Sequence, residues 1–222
     1  MIIAIDGPSG AGKSTLAKRL AKQLGFIYLD TGAMYRALAL KVLREGIDLS
    51  DDALLAEVVS STDIDLRENA GRLEVLLDGR DVAGEIRTPE VSQMASRISA
   101  SKSVRARMLE LQQAVGQRGS LVAEGRDIGT VIFPEAEVKV FLDASARERA
   151  RRRYQELKAA GREVDFDATL KEMEERDRRD SERALAPLRR ADDAMVIDSS
   201  DLDADAVAAM VLARIGSAER VI

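Results

Sequence analysis

The sequence predicts an α/β fold, strands alternating with helices, that carries a small antiparallel β insert and a charged helical segment. Three observations predict it. Short apolar runs of buried-strand type recur at residues 2–5, 26–29, 120–124, 138–143 and 194–198, with helical patterns between them. The period changes to strict alternation around residues 62–84. The 222 residues are enough for one such domain with an insertion and a sizeable core.

The first run meets a glycine-rich turn. Gly7, Pro8, Ser9, Gly10, Ala11, Gly12, Lys13 and Ser14 fit G-x-x-x-x-G-K-[ST], followed by Thr15 and a helix with Leu16, Ala17, Leu20, Ala21 and Leu24 at helical spacing. This strand–loop–helix context is what a phosphate-binding loop needs. Glycines let backbone N–H groups crowd a polyphosphate without Cβ clashes, and the helix N-terminus adds partial positive charge. Lys13 reaches the outer phosphates, and the Ser14 hydroxyl is a candidate Mg²⁺ ligand. The residue types therefore imply binding of a nucleoside triphosphate.

Gly25 suits the C′ position of that helix. The next run leads into Asp30-Thr31-Gly32-Ala33-Met34-Tyr35-Arg36, with Thr31 as the expected N-cap and Tyr35 and Arg36 one turn into a helix reaching Gly46. The carboxyl end of a strand beside the loop strand is where open α/β sheets hold ligands, so Thr31 and Arg36 are candidates for a second phosphate. In the insert, three strands are expected, with a turn at Asn69-Ala70-Gly71 and a two-residue type I′ turn at Asp78-Gly79. Thr88 and Pro89 supply the N-cap and first position of a helix with Val91, Met94, Ala95 and Ile98 inward. The helix after it places Val104, Met108, Leu111 and Val115 inward, with Arg105 and Arg107 near its start.

The strand at 120–124 ends in Gly125-Arg126-Asp127-Ile128-Gly129-Thr130, and an Arg-Asp pair flanked by glycines at a strand end is a candidate site. Ser145 caps an arginine-rich helix running to Gly161. A second charged helix is expected from Asp165 to Ala186, stopped by Pro187. Arg176, Arg179, Asp180 and Arg183 fall at i, i+3, i+4 and i+7 and would share one helical face suited to phosphate and a polar sugar. Residues 147–190 hold 14 Lys and Arg against 11 Asp and Glu in a chain of net charge −5, so this segment suits a small polyanion and reads as a lid over the triphosphate. The last helix carries Val207, Met210, Val211 and Ile215.

Composition excludes several chemistries. No Cys removes disulfides, thiol nucleophiles and cysteine zinc sites, and no His removes the commonest general base. The acidic balance argues against bulk nucleic-acid binding, and no apolar run approaches membrane-spanning length. With no secretory signal at the start, a cytoplasmic location is expected.

Taken together, the chain resembles the bacterial cytidylate (CMP/dCMP) kinases. The resemblance rests on residues 5–14, 30–36, 84–88, 125–131 and 141–145, and on Glu175-Arg176-Asp177 through Arg183 to Ala186-Pro187-Leu188. It spans nearly the whole chain, and Gly125-Arg126-Asp127 with Arg87-Thr88 is its most specific part. It implies a nucleoside monophosphate kinase fold: a five-stranded parallel sheet with helices on both faces, with a core (about 1–61, 86–146, 187–222), a CMP-binding insert (about 62–85) and a lid (about 147–186). It also implies ATP and Mg²⁺ as cofactors, CMP and dCMP as substrates, and a monomer without nucleic-acid or membrane partners. Carried over, Thr31, Arg36, Arg126 and Arg183 hold the CMP phosphate. Ser96, Arg105 and Asp127 read cytosine, and Tyr35, Arg176 and Asp180 hold the sugar. Lys13, Arg36, Arg126, Asp127 and Arg183 form the catalytic set. Thr31 stands where Ser is expected, and Ser14 where Gly also occurs.

The expected reaction, ATP + (d)CMP giving ADP + (d)CDP, needs no general base. A nucleotide-hydrolysing switch would need an Asp-x-x-Gly element and, for guanine, Asn-Lys-x-Asp, and neither stands out. A kinase for another small acceptor, such as UMP, AMP or shikimate, is the nearer alternative. A scaffold that only binds nucleotide fits two anion sites less well.

Overall fold

The apolar run after Met1 forms β1 (Ile2–Asp6), buried over its last four residues. The structure, a computed structural model, describes residues 1–69 and 72–218. After β1 come α1 (Lys13–Leu24), β2 (Ile27–Asp30), α2 (Thr31–Glu45) and α3 (Asp52–Ser61). The insert supplies β3 (Ile64–Asn69), β4 (Arg72–Leu77) and β5 (Arg80–Asp81), followed by α4 (Pro89–Ile98) and α5 (Lys102–Gly116). The chain then forms β6 (Leu121–Gly125), a π-helical turn (Ile128–Ile132) and β7 (Val138–Asp143). It ends with α6 (Ala146–Ala159), α7 (Phe166–Glu182), β8 (Met195–Asp198) and α8 (Ala204–Ala218).

The main sheet has the order β2-β6-β1-β7-β8. β1 pairs in parallel with both β6 and β7, and β7 with β8, so β1 is central and Asp6 stands level with Gly125 and Phe141. Burial on both faces is what a parallel sheet under helices requires. Ile3, Ile5, Val122, Val140, Leu142 and Ile197 of the strands pack with Leu16 and Leu20 of α1 and Val207 and Val211 of α8. Fully burying each such side chain contributes about 1.5–3 kcal/mol before entropy is counted.

The chain divides into two compact units, residues 1–28 with 119–222, and residues 29–118. In the second unit, β3, β4 and β5 make the expected antiparallel sheet, and Asp78 and Gly79 both have positive φ (49° and 79°), as a type I′ turn demands. Of the expected turn at residues 69–71, Ala70 and Gly71 lie outside the described residues. Thr88 caps α4 by accepting from Val91 N at 3.1 Å, with Pro89 behind it as expected.

Four expectations need correcting. The N-cap of α2 is Asp30, whose carboxylate accepts from Ala33 N at 2.8 Å, and Thr31 is drawn into the first turn. A carboxylate suits the positive helix end better than a hydroxyl. The helix α3 was not expected at all; Asp51 caps it, and Leu55, Val58 and Val59 form its buried face. On α8, Met210 is exposed and Val207, Val211 and Ile215 carry the buried face, while on α5 Gln112 is wholly buried and Leu111 only half.

The fourth correction bears on the site. α7 ends at Glu182, five residues before Pro187, and Arg183 is extended (φ −60°, ψ 139°), so Arg183 leaves the face it was expected to share. The residue before a proline avoids helical geometry, and Ala186 adopts φ 46°. The turn closes on itself: Leu188 N donates to Asp180 O at 2.7 Å, and Arg183 Nε to Ala186 O at 2.7 Å. No described helix is long and apolar enough to cross a membrane.

Candidate active site

The loop between β1 and α1 is shaped by contacts only glycine allows. At Gly7 (φ 149°) a Cβ would lie 1.9 Å from the Leu142 carbonyl oxygen, so the loop start rests directly on β7. Gly12 (φ 97°) precedes α1 with no side-chain cap, which leaves the helix N-terminus arranged to take an anion. Lys13 is 6% exposed and turns back over the loop, its Nζ donating to Pro8 O at 2.6 Å. Burial, then the charge of Arg126, lowers its pKa to about 7. Ser14 Oγ donates to Glu124 Oε2 at 2.9 Å, and Tyr28 OH donates to the other oxygen of that buried carboxylate.

Beside this loop lies a cavity of about 490 Å³, within the range of small-ligand sites. Gly12, Thr15, Leu142, Arg152, Ser199 and Leu202 help to line it. Arg152 is held there by Ser199, through Oγ at 3.1 Å and the carbonyl at 2.6 Å. Arg152 and Ser199 were not singled out from the sequence, where Arg152 is one cation in a run and Ser199 an ordinary turn residue.

At the carboxyl end of β6, five of the expected acceptor residues come together. Arg126 Nε donates to Asp180 Oδ2 at 3.0 Å, Arg176 Nε stands 3.9 Å from the same oxygen, and Arg183 Nη2 is 3.5 Å from Asp127 Oδ1. Asp127 and Asp180 are buried. Burial pushes the Asp180 carboxyl up, but Arg126, Arg176 and Arg183 outweigh it and hold it below the usual range. Three guanidiniums around two buried carboxylates leave net positive charge here, which suits a phosphate.

The remaining expected residues belong to the second unit. Thr31 is buried in the first turn of α2; Tyr35 and Arg36 follow, with Arg36 Nη2 3.2 Å from Asp30 Oδ2. Ser96 is buried on α4, and Arg105 lies in the first turn of α5.

The helices α6 and α7 pack together and meet the phosphate loop. Arg149 is 7% exposed and donates to Ser9 O at 3.0 Å, to Ala144 O at 2.9 Å and to Asp177 of α7. A Cβ at Gly10 would lie 2.9 Å from Met173 Cε, so α7 packs onto the loop as well.

Comparison with known proteins agrees with this geometry. Residues 3–217 match the Cytidylate kinase family. The cytidylate kinase of Pelotomaculum thermopropionicum is 51% identical over 219 residues, covering 98% of this chain and 97% of that protein. That of Syntrophotalea carbinolica is 51% identical over 221 residues, covering 100% and 94%. Among solved structures, a gluconokinase from Sinorhizobium meliloti shares the fold at 16% identity with a TM-score of 0.51, over 99% of this chain and 94% of that one. A match over almost the full length at this identity leaves one assignment: the chain belongs to the cytidylate kinase family.

Proposed function

We propose that this enzyme transfers the γ-phosphoryl group of ATP to CMP or dCMP, giving ADP and CDP or dCDP, with the residues of the two clusters above as its machinery. The observation that carries the residue assignment is the cluster of Arg126, Asp127, Arg176, Asp180 and Arg183 in the same unit as the Lys13 loop. One unit then holds an anion site for the donor and a second for the acceptor. Lys13 and the backbone N–H groups of Gly7 and residues 9–15 take the triphosphate, and the cavity at Arg152 and Ser199 takes the donor nucleoside. Arg126 and Arg183 hold the acceptor phosphate, Arg176 and Asp180 the sugar, and Asp127 the base. For Thr31, Tyr35, Arg36, Ser96 and Arg105 of the second unit, the roles are those that the family resemblance implies.

The acceptor oxygen needs no proton removed, because a phosphate monoester with second pKa about 6 is mostly dianionic at neutral pH. The residues act by bringing two anions into line and offsetting their repulsion. Ser14 and Glu124 fit Mg²⁺: a hydroxyl and a buried carboxylate 2.9 Å apart are hard oxygen donors beside the phosphate loop. When bound, the ion supplies charge neutralisation on the donor phosphates. Substrates of this kind support a cytoplasmic location.

In a coupled ADP-release assay, CMP and dCMP are expected to be turned over far faster than UMP, AMP or shikimate. Preferred use of UMP or AMP would overturn the acceptor assignment. The hairpin of α6 and α7 is proposed as a lid over the donor. Hydrogen exchange across residues 147–186 should slow when both nucleotides bind, and less with CMP alone. Equal exchange in all states would leave the hairpin as static scaffold.

A further inference from the structure

Asp6 is the last residue of β1 and immediately precedes the phosphate loop, yet it takes no part in the phosphate-loop pattern. It is 5% exposed, and its carboxylate accepts two backbone hydrogen bonds from the far side of the sheet sequence: Ile128 N donates to Oδ1 at 2.7 Å and Gly129 N to Oδ2 at 2.8 Å. Those two amides open the π-helical turn Ile128–Ile132, directly after Arg126 and Asp127. Gly129 is also confined from outside, since a Cβ there would lie 3.1 Å from the Lys139 side chain and 3.5 Å from Asp6 Oδ2.

Burying a carboxylate is costly unless hydrogen bonds offset it, and here two backbone donors offset part of the cost. Burial still raises its pKa to about 6, opposed by the two amides, so the group is ionised at neutral pH and accepts from both. What the arrangement does is tie the chain just beyond Arg126 and Asp127 to the central strand of the sheet. Asp127 itself sits at φ −144°, ψ 27°, an orientation set by the amide that follows it.

We infer that Asp6 is a positioning residue for the acceptor: by gripping the amides of Ile128 and Gly129 it fixes the direction in which Arg126 and Asp127 meet the CMP phosphate and base. The inference deepens the acceptor assignment proposed above and rests on it. It differs from a purely structural role in its selectivity. The donor loop is pinned by Gly7 against Leu142 and by Arg149 against Ser9, and Asp6 acts on it only through the field it shares with Lys13, so loosening the turn should fall far more heavily on CMP than on ATP.

The test is Asp6→Asn, which keeps one acceptor and sets an NH₂ group against the second amide. KM for CMP is expected to rise about tenfold or more with KM for ATP within about twofold, since small misplacements of a binding group are this costly. Asp6→Ser, whose hydroxyl stops one bond short of the carboxylate oxygens, should raise KM for CMP at least as far as Asp6→Asn. Equal rises in both KM values, or a change in melting temperature alone, would overturn the inference. Arg126→Lys, measured in parallel, separates the two levels. If it leaves KM for CMP unchanged, the acceptor assignment fails; if it raises KM while Asp6→Asn does not, only the positioning role fails. Should neither Asp6 variant fold, the wild-type protein still decides. The Ile128 and Gly129 amides should be strongly protected from hydrogen exchange without nucleotide, and rapid exchange at both would exclude the grip.

Discussion

Lys13→Met should give a folded protein whose kcat is lower by about 10²-fold to 10³-fold, the scale on which a lost charge contact to the transition state is felt. Folding should survive because the Lys13 ammonium is a liability in the unliganded protein. It is buried, it sits in the field of Arg126, and its hydrogen bond goes to the Pro8 carbonyl of its own loop. Methionine keeps the unbranched stem and removes the charge, so the melting temperature should hold or rise. The depressed pKa adds a second readout. With a folded value of about 7 against an ordinary 10.5, much of the free enzyme carries a neutral amine at neutral pH. An anionic triphosphate pulls that pKa back up, so ATP binding near pH 7.5 should take up protons, measured by calorimetry in buffers of different ionisation enthalpy. The uptake should vanish in Lys13→Met. Turnover near the wild-type level would remove the phosphate loop from the mechanism.

Where the fold was legible, the signal was local. Thr88-Pro89 names a helix start, Asp78-Gly79 a type I′ turn, and Gly25 and Gly46 the left-handed ends of α1 and α2, each because the residue type is tied to one backbone geometry. The misses came where two local signals competed or a distant contact decided. Asp30 and Thr31 are both good caps, and the carboxylate prevails. The Asp51 cap with Leu55, Val58 and Val59 was a readable helix signal, but too short to stand out beside the insert. The end of α7 is decided by the fold-back of Leu188 onto Asp180, which no helical periodicity anticipates.

The site divides in the same way. Residues 7–15 were legible because the loop's chemistry is written in consecutive residues. Arg126 and Asp127 were legible because glycines flank a charged pair at a strand end. Glu124, Asp6, Arg149 and the pair Arg152–Ser199 were not, although each is hydrogen-bonded within or beside the candidate site. Their partners lie 110, 122, 140 and 47 residues away along the chain, so only the folded sheet reveals them. Arg183 is the mixed case. Helical spacing put it on one face with Arg176, Arg179 and Asp180, yet it leaves the helix and lies beside Asp127.

Asp127→Asn is expected to lower the preference for CMP over UMP, as the ratio of kcat/KM values, by about tenfold or more. Cytosine presents an N4 amino donor where uracil presents a carbonyl acceptor. A buried carboxylate accepts from the first and opposes the lone pairs of the second, the logic by which Asp and Glu read cytosine in DNA. Asp127 is suited to this because it is buried, beside Arg183 at 3.5 Å, where an unmet charge is expensive. An asparagine can turn either its carbonyl or its amine toward the base, so it should weaken CMP use and help UMP. Losing the partner of Arg183 should also raise KM for both nucleotides by a similar factor, and taking the ratio cancels that common part. An unchanged ratio would transfer base reading to Ser96 and Arg105 of the second unit, and leave Asp127 as the group that holds Arg183 for the phosphate.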